Sequence, residues 1–424
     1  MHPILCLVGE VIVTTLVTGF THPGARLRLL GLIPVALCVL QCVPLCMKSM
    51  VRTPWAALVG GYSITYLFHY LDVAVLSDWS FEHNSPVSGL VRPSEDANTD
   101  DRAQSRKPND TIVHRLLFGV KMASSFRFVG TPYQTRNTPP VIAADRKYFL
   151  QRTFAVIVVS YVVLDFINSN NDPMIASKYL TLEKVPFLTR LDQITAEEVV
   201  IRAFAVLAAA VGLNCVQGGI YNIFALLAVS TGVSNPSEWP PFYGSPRDAY
   251  TLRKFWNVFW HQTNARKFSS IAHYTVHGCM KLPRGSIGAR YLRMLVAFLS
   301  SGIMHLLGDL AAGVQLRDSG AMRFFLAQAL GMIIEDVAIR AYRRLPPGTK
   351  IPLVAEKGLG FLWVAIFLTW SVPAYMYPMM WRANQGLNDS TIPFSFFGPG
   401  AERIKAVGCL LSAGVVSLSG ILIT

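Results

Sequence analysis

Two short stretches carry most of the side chains that could do chemistry in an otherwise apolar chain. Residues 255–262 read FWNVFWHQ, and residues 300–309 read SSGIMHLLGD within a long apolar run. An ionisable side chain is costly at membrane depth, so one that lies in an apolar helix is a functional-site hypothesis by default. His305 in the second stretch is therefore either a catalytic group or a satisfied structural residue.

The first stretch belongs to a polar segment, residues 235–290, in which we expect a short helix to begin at Pro246. Arg253, Asn257 and His261 recur at intervals of four, which places them on one face of that helix. Trp and Phe side chains lie beside them, and aromatic stripes of this kind most often serve packing or a membrane interface. The polar side chains on this face need a partner, which would be water, a phosphate or a reacting substrate.

The second stretch also has helical spacing. Ser301, His305 and Asp309 recur at intervals of four, so either neighbour could orient the histidine. A Ser-His-Asp nucleophilic triad on one helix has poor geometry, because the side chains stack rather than relay a proton. Gly302 and Gly308 flank the histidine and would let another backbone or a ligand approach closely.

The composition restricts the class of protein. Hydrophobic residues make up 52% of the chain and charged residues 15%, with a mean hydropathy of +0.39. Soluble domains average about 25% charged residues. We therefore predict an all-α, polytopic transmembrane helical bundle of about 8–10 spans. Basic cytosolic loops explain the net charge of +13. The sequence contains no recognition module or basic stripe that would indicate binding of nucleic acid.

Apolar runs long enough to cross a bilayer recur along the whole sequence. The predicted spans are 4–20, 29–47, 55–77, 153–169, 199–230, 291–316, 322–342, 358–380 and 404–423. The run 199–230 is too long for one simple span, and Gln217-Gly218-Gly219 predicts a kink or a re-entrant pair. The Lys and Arg content of the loops predicts a luminal N-terminus and a cytosolic C-terminus, with three cytosolic loops at 78–152, 235–290 and 343–357.

No metal site is predicted. Most of the seven cysteines lie in apolar runs, where they are expected to act as small hydrophobic residues. His273 and His277 are four residues apart, but no carboxylate or thiolate nearby completes a ligand set.

The two chemical stretches together resemble a known family. FWNVFWHQ, followed by an apolar helix that carries SGIMH, is similar to the wax synthase-like branch of the membrane-bound O-acyltransferase superfamily. That branch has an FWxxxWN or FWxxxWH element and then an apolar helix with the supposed catalytic histidine. The preceding WPPFYGSP also fits, particularly fungal members that acetylate terpenoid or meroterpenoid alcohols. The specific match covers residues 235–310.

The resemblance implies a role for each polar residue. His305 becomes the catalytic histidine, a base that accepts the proton of an alcohol as it attacks a thioester carbonyl. His261 stands where many relatives have Asn, and either His261 or Asn257 could donate a hydrogen bond to the developing oxyanion. We expect direct transfer of the acyl group, with no acyl-enzyme.

The resemblance also implies that acyl-CoA enters from the cytosol as a co-substrate, with no permanently bound cofactor. Four basic residues of the polar segment could hold its phosphates: Arg253, Lys254, Arg266 and Lys267. The alternative for each of them is ordinary positive charge in a cytosolic loop.

Three regions follow from these interpretations. Residues 1–77 form N-terminal transmembrane helices, 78–152 form a cytosolic loop that is partly mobile, and 153–424 form the acyltransferase core. The sequon at Asn388 is predicted to be luminal and open to glycosylation, whereas the sequon at Asn109 is predicted to be cytosolic.

The function expected from the resemblance is transfer of an acetyl group from acetyl-CoA to a hydroxyl of a hydrophobic terpenoid or meroterpenoid, in the endoplasmic reticulum membrane. A wax-type enzyme that joins a long-chain alcohol to a fatty acyl group is the nearest alternative. A transporter of a hydrophobic metabolite is the alternative from another class. A membrane-bound terpene cyclase is a weaker third option, for which the intramembrane acidic candidates besides Asp309 are Asp165, Glu335 and Asp336.

Overall fold

The computed structural model describes residues 2–50, 52–90, 110–142, 145–346, 350–383, 390–398 and 401–422. Its helices, numbered in chain order, are α1 (Pro3–Phe20), α2 (Arg26–Leu30), α3 (Leu32–Ser49), α4 (Thr53–Tyr70), α5 (Ile112–Ser124), α6 (Arg146–Ser169), α7 (Pro173–Tyr179), α8 (Ala196–Ser230), α9 (Leu252–Lys254), α10 (Ala265–His273), α11 (Ile287–Ala311), α12 (Ala321–Arg343), α13 (Leu353–Ser371), α14 (Pro373–Ala383) and α15 (Arg403–Leu422). Within the described ranges the β-structure is a single antiparallel pair, β1 (Trp79–Ser80) with β2 (Ser85–Pro86).

Shorter helical turns of other types complete the secondary structure. The 3₁₀ turns are Leu182–Lys184, Leu188–Gln193, Pro236–Glu238 and Pro246–Asp248. The π-helical turns are Leu71–Leu76, Phe255–Phe259 and Tyr274–Cys279.

Seven of the described helices are long and apolar enough to cross a membrane, which confirms the prediction of an all-α polytopic membrane protein. They are Pro3–Phe20, Arg26–Ser49, Arg146–Ser169, Ala196–Ser230, Ile287–Ala311, Leu353–Ser371 and Arg403–Leu422. The predicted spans 55–77 and 322–342 are helical but are not among the seven. The first packs against α1, α3 and α11, so protein rather than lipid covers much of it. The second carries several charged side chains, including Glu335 and Asp336.

The predicted break at Gln217-Gly218-Gly219 is wrong. Helix α8 runs without interruption for 35 residues, about 50 Å at a rise of 1.5 Å per residue, whereas the hydrocarbon core is about 30 Å thick. A Cβ atom on Gly219 would lie 3.5 Å from the Cβ atom of Ser160 in α6. Gly219 therefore packs against α6 at an ordinary van der Waals distance, inside a continuous helix.

The chain forms two compact units, of which one consists of Met1–Phe128 and Thr263–Ile333. In this unit α1 packs against α3, α4 and α5, and α11 packs against α3, α4 and α10. A Cβ atom on Gly119 would lie 2.1 Å from the carbonyl oxygen of Thr15, so α1 and α5 meet backbone to backbone. Helix α5 lies inside the stretch predicted as a loop.

An apolar cluster in this unit contains several of the cysteines. Cys6, Cys42 and Cys46 are buried together with Ala56 and Ala311, and all seven cysteines are free thiols. Their packing agrees with the predicted role as small hydrophobic residues.

The other compact unit consists of Val129–Gln262 and Ile334–Thr424. Here α6 packs along α8, and α15 packs against both. Phe149, Leu150 and Ile157 of α6 form the core with three residues of α8: Ala225, Leu226 and Val229. The predicted regional boundaries at 77 and 152 do not coincide with these units, so that division stays a prediction.

Several sequence predictions fall outside the described residues. Residues 91–109 of the loop predicted to be partly mobile, including Asn109 of one sequon, lie there, as does Asn388 of the other.

Candidate active site

His305 lies in α11, in the first compact unit. Its imidazole is half-buried and packs against the ring of Phe325 in a tilted arrangement, with 4.3 Å between the ring centroids and 32° between the planes. A Cβ atom on Gly302 would lie 3.0 Å from the sulfur of Met322 and 3.5 Å from the Cβ atom of Phe325. Gly302 thus lets α12 approach α11 one turn before the histidine, whereas a Cβ atom on Gly308 would meet nothing within 4 Å.

A single hydrogen bond determines which nitrogen of His305 carries the proton. Nδ1 lies 2.8 Å from the backbone carbonyl oxygen of Ser301. A carbonyl oxygen can only accept, so Nδ1 must be the donor and Nε2 of the neutral ring must hold the lone pair. The Ser301 hydroxyl is farther away, at 3.5 Å from Nδ1. The ring is therefore oriented chiefly by the helix backbone, with Nε2 as the basic atom.

Asp309, the other predicted partner of His305, is anchored to the turn that follows α11. It is 1% exposed, and its Oδ2 atom accepts a hydrogen bond of 2.5 Å from the Ser319 hydroxyl. Its backbone carbonyl accepts a further bond of 2.9 Å from the amide of Val314. These contacts favour a structural role at the end of the helix.

Lys267, in the first turn of α10, is bonded to the two residues that precede this helix. Its ammonium group is fully buried, donates 2.7 Å to the carbonyl of Thr263 and 3.3 Å to Oδ1 of Asn264, and lies 4.1 Å from the ring centroid of Phe126. The amide of Asn264 in turn donates to the sulfur of Met304, at 3.5 Å. Burial lowers the pKa of Lys267 to about 7, a shift that the charge of the neighbouring Arg266 reinforces and an Asp carboxylate nearby opposes.

Arg266 lies in a buried polar network on the same helix. Its guanidinium pairs with the carboxylate of Asp72 at 3.1 Å and donates to the hydroxyl of Ser77 at 3.2 Å. The same carboxylate accepts a bond of 2.5 Å from Ser270. These contacts, like those of Lys267, favour a structural role, and the predicted role of both residues toward CoA stays untested.

The sequence predicts a helix from Pro246 with Asn257 and His261 on one face. The second half of this prediction is wrong. A 3₁₀ turn and the short α9 are followed by the π-turn Phe255–Phe259, and the chain becomes extended at Trp260, with φ −66° and ψ 149°. The amide of Trp260 bonds the carbonyl of Phe255 at 2.7 Å, five residues back. The polar residues therefore do not share one face.

Gly244 explains how this π-turn is held. Its amide donates to the carbonyl of Phe259 at 2.8 Å, and a Cβ atom at this position would lie 2.1 Å from the carbonyl oxygen of Val258. Only glycine allows the loop to lie directly on the turn. This contact is the structural reason for the glycine in WPPFYGSP.

His261 is enclosed by rings, and Asn257 is not. The imidazole of His261 lies 5.3 Å from the ring of Phe242, 5.8 Å from that of Tyr243 and 5.6 Å from that of Trp260. Asn257 is exposed, and its carbonyl accepts from the side chain of an Asn in another loop. Of the two candidates, His261 is the more sheltered from water.

Two acidic residues of α12 hold the segment that precedes the π-turn. Glu335 accepts from the backbone amide of Leu252 at 2.6 Å and from that of Arg253 at 3.2 Å. Asp336 pairs with the guanidinium of Arg253 at 2.7 Å. Lys254 is hydrogen bonded to the Tyr250 hydroxyl and lies over its ring. Sequence analysis missed this anchoring role of Glu335, since its partners are backbone amides far away in the chain.

Among the described residues no group of three or more His, Cys, Asp or Glu side chains is placed to hold a metal ion. The rings of His273 and His277 are 5.0 Å apart, and Nδ1 of His277 donates to the carbonyl of Leu282 at 2.8 Å.

The stretch that contains both histidines matches a family. The membrane bound O-acyl transferase family matches residues 239–327. The chain is 30% identical over 378 residues to acetyltransferase aurG of Calcarisporium arbuscula, covering 88% of this chain and 92% of that protein. This chain belongs to the membrane bound O-acyl transferase family. The O-acyltransferase is also 32% identical over 395 residues to acetyltransferase fsoF of Humicola fuscoatra, covering 87% and 94%. Against acetyltransferase atnC of Arthrinium sp it is 28% identical over 409 residues, covering 91% and 86%.

Membership confirms the resemblance read from FWNVFWHQ and SGIMH. The protein is a membrane enzyme that moves an acyl group from a donor to an acceptor, which sets aside the alternatives of a transporter and a terpene cyclase.

Proposed function

We propose that this O-acyltransferase moves an acetyl group from acetyl-CoA to a hydroxyl of a hydrophobic terpenoid or meroterpenoid, and that it works in the endoplasmic reticulum membrane. Support for acetyl comes from the three relatives above, each of which is named an acetyltransferase. The wax-type alternative differs in the length of the acyl chain and of the alcohol.

The observation that carries the proposal is the hydrogen bond from Nδ1 of His305 to the carbonyl of Ser301. It leaves Nε2 as an unprotonated base on a helix of the matched region. Nε2 takes the proton of the acceptor hydroxyl while its oxygen attacks the thioester carbonyl. The C–O bond forms, the C–S bond breaks, and the proton passes from Nε2 to the departing thiolate to give free CoA.

The tetrahedral intermediate of this reaction carries a negative oxygen, which needs a preorganised donor. His261 keeps its predicted role as that donor. Its aromatic enclosure supports the proposal, because a hydrogen bond is stronger where water is excluded.

Acetyl transfer in microsomes tests the proposed function. Wild type, His305→Ala and His22→Ala are compared with labelled acetyl-CoA and a panel of terpenoid alcohols. His22 is 82% exposed, so its replacement controls for the loss of a histidine as such. The proposal expects His305→Ala to lose at least about 100-fold in rate, the usual contribution of general-base catalysis, while His22→Ala keeps full activity. Equal rates in wild type and His305→Ala would remove this histidine from the mechanism.

The acyl chain is tested in the same membranes with palmitoyl-CoA and a long-chain alcohol. Faster transfer of palmitoyl than of acetyl would replace the acetyltransferase proposal with the wax-type alternative.

A further inference from the structure

The second compact unit contains a cavity of about 170 Å³ between α6, α8 and the loop that follows α8. Aromatic rings form much of its lining, and one basic side chain joins them. These residues are Phe149, Arg152, Tyr221, Trp239, Phe242 and Tyr243. Two of the rings, Phe242 and Tyr243, also contact the imidazole of His261. The cavity therefore shares a wall with a candidate catalytic residue.

The polar atoms of the aromatic side chains that line the cavity are already hydrogen bonded within the protein. The Tyr221 hydroxyl donates to the carbonyl of Pro240 at 2.8 Å, and the Tyr243 hydroxyl donates to the side chain of Gln217 at 2.6 Å. The indole N–H of Trp239 donates to a serine hydroxyl at 2.7 Å. What these side chains offer a ligand is ring surface, which suits a flat heterocycle.

Arg152 provides the charge. It is half-buried in α6, and within the described part of the chain it makes no hydrogen bond or ion pair. A guanidinium has five N–H donors and stays protonated, so Arg152 can offer several donors and a positive charge to an anionic ligand. Carboxylate and phosphate oxygens match its fork, and a neutral alcohol does not.

The four cations put forward from the sequence differ from Arg152 in this respect. Arg253 is paired with Asp336, Arg266 is paired with Asp72, and the ammonium groups of Lys254 and Lys267 are bonded to oxygen atoms of neighbouring residues.

The cavity lies toward the side of the membrane that is predicted to be cytosolic. Arg152 lies in the second turn of α6, at the end that adjoins the loop 78–152, and the cavity loop belongs to the segment 235–290. Both segments are predicted to be cytosolic from their basic residues. A water-soluble, phosphate-bearing ligand reaches this side, whereas a hydrophobic alcohol enters from the lipid.

We propose that this cavity binds the 3′-phosphoadenosine end of acyl-CoA, with a phosphate on Arg152 and the adenine against the aromatic rings. The inference rests on the proposed function, which supplies CoA as the donor. It adds a binding residue that lies outside the polar segment where the sequence motifs are found.

The experiment compares wild type with Arg152→Gln, and with Lys147→Gln as the matched control. Lys147 is an exposed cation in the first turn of the same helix and does not line the cavity. KM and kcat are measured with acetyl-CoA and with acetyl-3′-dephospho-CoA. We expect Arg152→Gln to raise KM for acetyl-CoA about tenfold, as for a lost charge-assisted bond, with little change in kcat or in KM for the alcohol. Lys147→Gln should match wild type.

Removal of the 3′-phosphate identifies the group that Arg152 contacts. In wild type the dephospho donor should raise KM by a similar factor, and in Arg152→Gln it should cause no further rise. An unchanged KM for acetyl-CoA in Arg152→Gln, or an equal dephospho penalty in both proteins, would overturn the proposal. A rise in KM for the alcohol instead would assign the cavity to the acceptor.

A binding measurement keeps this inference separate from the proposed function. Adenosine 3′,5′-bisphosphate is titrated calorimetrically into purified wild type, Arg152→Gln and Arg152→Lys, each checked for normal folding. Binding should be strongest in wild type, intermediate with Lys, which keeps the charge without the fork, and weakest with Gln. Equal binding by all three would refute the site even if acetyl transfer is intact, and missing transfer with intact binding would refute only the function.

Discussion

The Nδ1 atom of His305 donates a hydrogen bond to the backbone carbonyl of Ser301, one helical turn earlier, at 2.8 Å. The hydroxyl of the same serine lies 3.5 Å from that nitrogen, beyond the usual distance of an N–H···O hydrogen bond. The helix backbone, which no side-chain substitution removes, therefore sets the tautomer of the imidazole.

Replacement of Ser301 tests this assignment. Ser301→Ala removes the hydroxyl but keeps the carbonyl, so we expect kcat within about threefold of wild type, since a long contact contributes little. Acetyl transfer under saturating substrate is the measurement, with His305→Ala as the inactive reference. A loss comparable to that of His305→Ala would show instead that the hydroxyl orients the ring.

The predicted identity of His261 as an oxyanion donor can be separated from a packing role. Asn supplies an N–H donor of smaller size, whereas Ala supplies none. We expect His261→Asn to keep most of the activity and His261→Ala to lose about 10²–10³ in kcat, the usual cost of one oxyanion donor. Asn257→Ala should be nearly silent, because that side chain is exposed. If His261→Ala has normal kcat, the oxyanion role is wrong.

The helix that carries His305 could be predicted from the sequence, because the hydropathy and spacing that indicate it lie within one short segment. The hydropathy and spacing of SSGIMHLLGD predict an apolar helix with His305 on it, and α11 spans Ile287–Ala311. The segment around His261 was predicted less well. Its π-turn depends on contact with Gly244, and the residues that lead into the turn are held by Glu335. These contacts join residues that are distant in the chain, and helical periodicity carries no information about them.

The same reason explains why the sequence did not reveal the internal partners of the basic residues, whose predicted role toward CoA stays untested. A run of Lys and Arg in a polar segment looks available to a ligand, but the partner of Arg266 is Asp72, far earlier in the sequence. The predicted break in α8 is also wrong, because Gly219 lies inside a continuous helix and packs against Ser160 of α6.

Loss of the buried ion pair should affect folding rather than CoA affinity. Arg266→Gln leaves the fully buried carboxylate of Asp72 without its cation, which typically costs about 3–5 kcal/mol. We expect a lower folded yield and a lower midpoint of thermal unfolding in detergent, with an unchanged KM for acetyl-CoA in the protein that folds. Arg317→Gln, at a side chain that is 80% exposed, is the control. A normal midpoint with a raised KM would return Arg266 to the CoA site.

Lys267 should make stability depend on pH. Its pKa is lowered to about 7 in the folded protein and is about 10.4 in the unfolded chain. Between these values the unfolded state binds more protons, so folding stability rises as the pH increases from about 7 to 10. Lys267→Met removes this contribution, and we expect its unfolding midpoint to rise less between pH 7 and pH 9 than that of wild type. Lys254→Met is the comparison, and parallel pH profiles for wild type and Lys267→Met would contradict the prediction.

The contact between Gly244 and the π-turn provides the sharpest test of how the motif is built. In Gly244→Ala the new methyl would lie 2.1 Å from the carbonyl oxygen of Val258, so the loop must shift away from the turn that precedes His261. Overpacking of this kind costs about 1–3 kcal/mol, and the displaced Phe242 and Tyr243 rings should lower activity beyond the loss of folded protein. Gly212→Ala, where a Cβ atom meets nothing within 4 Å, should be tolerated. Specific activity per folded enzyme is the readout: equal values for the two alanine variants would mean that the loop does not position His261.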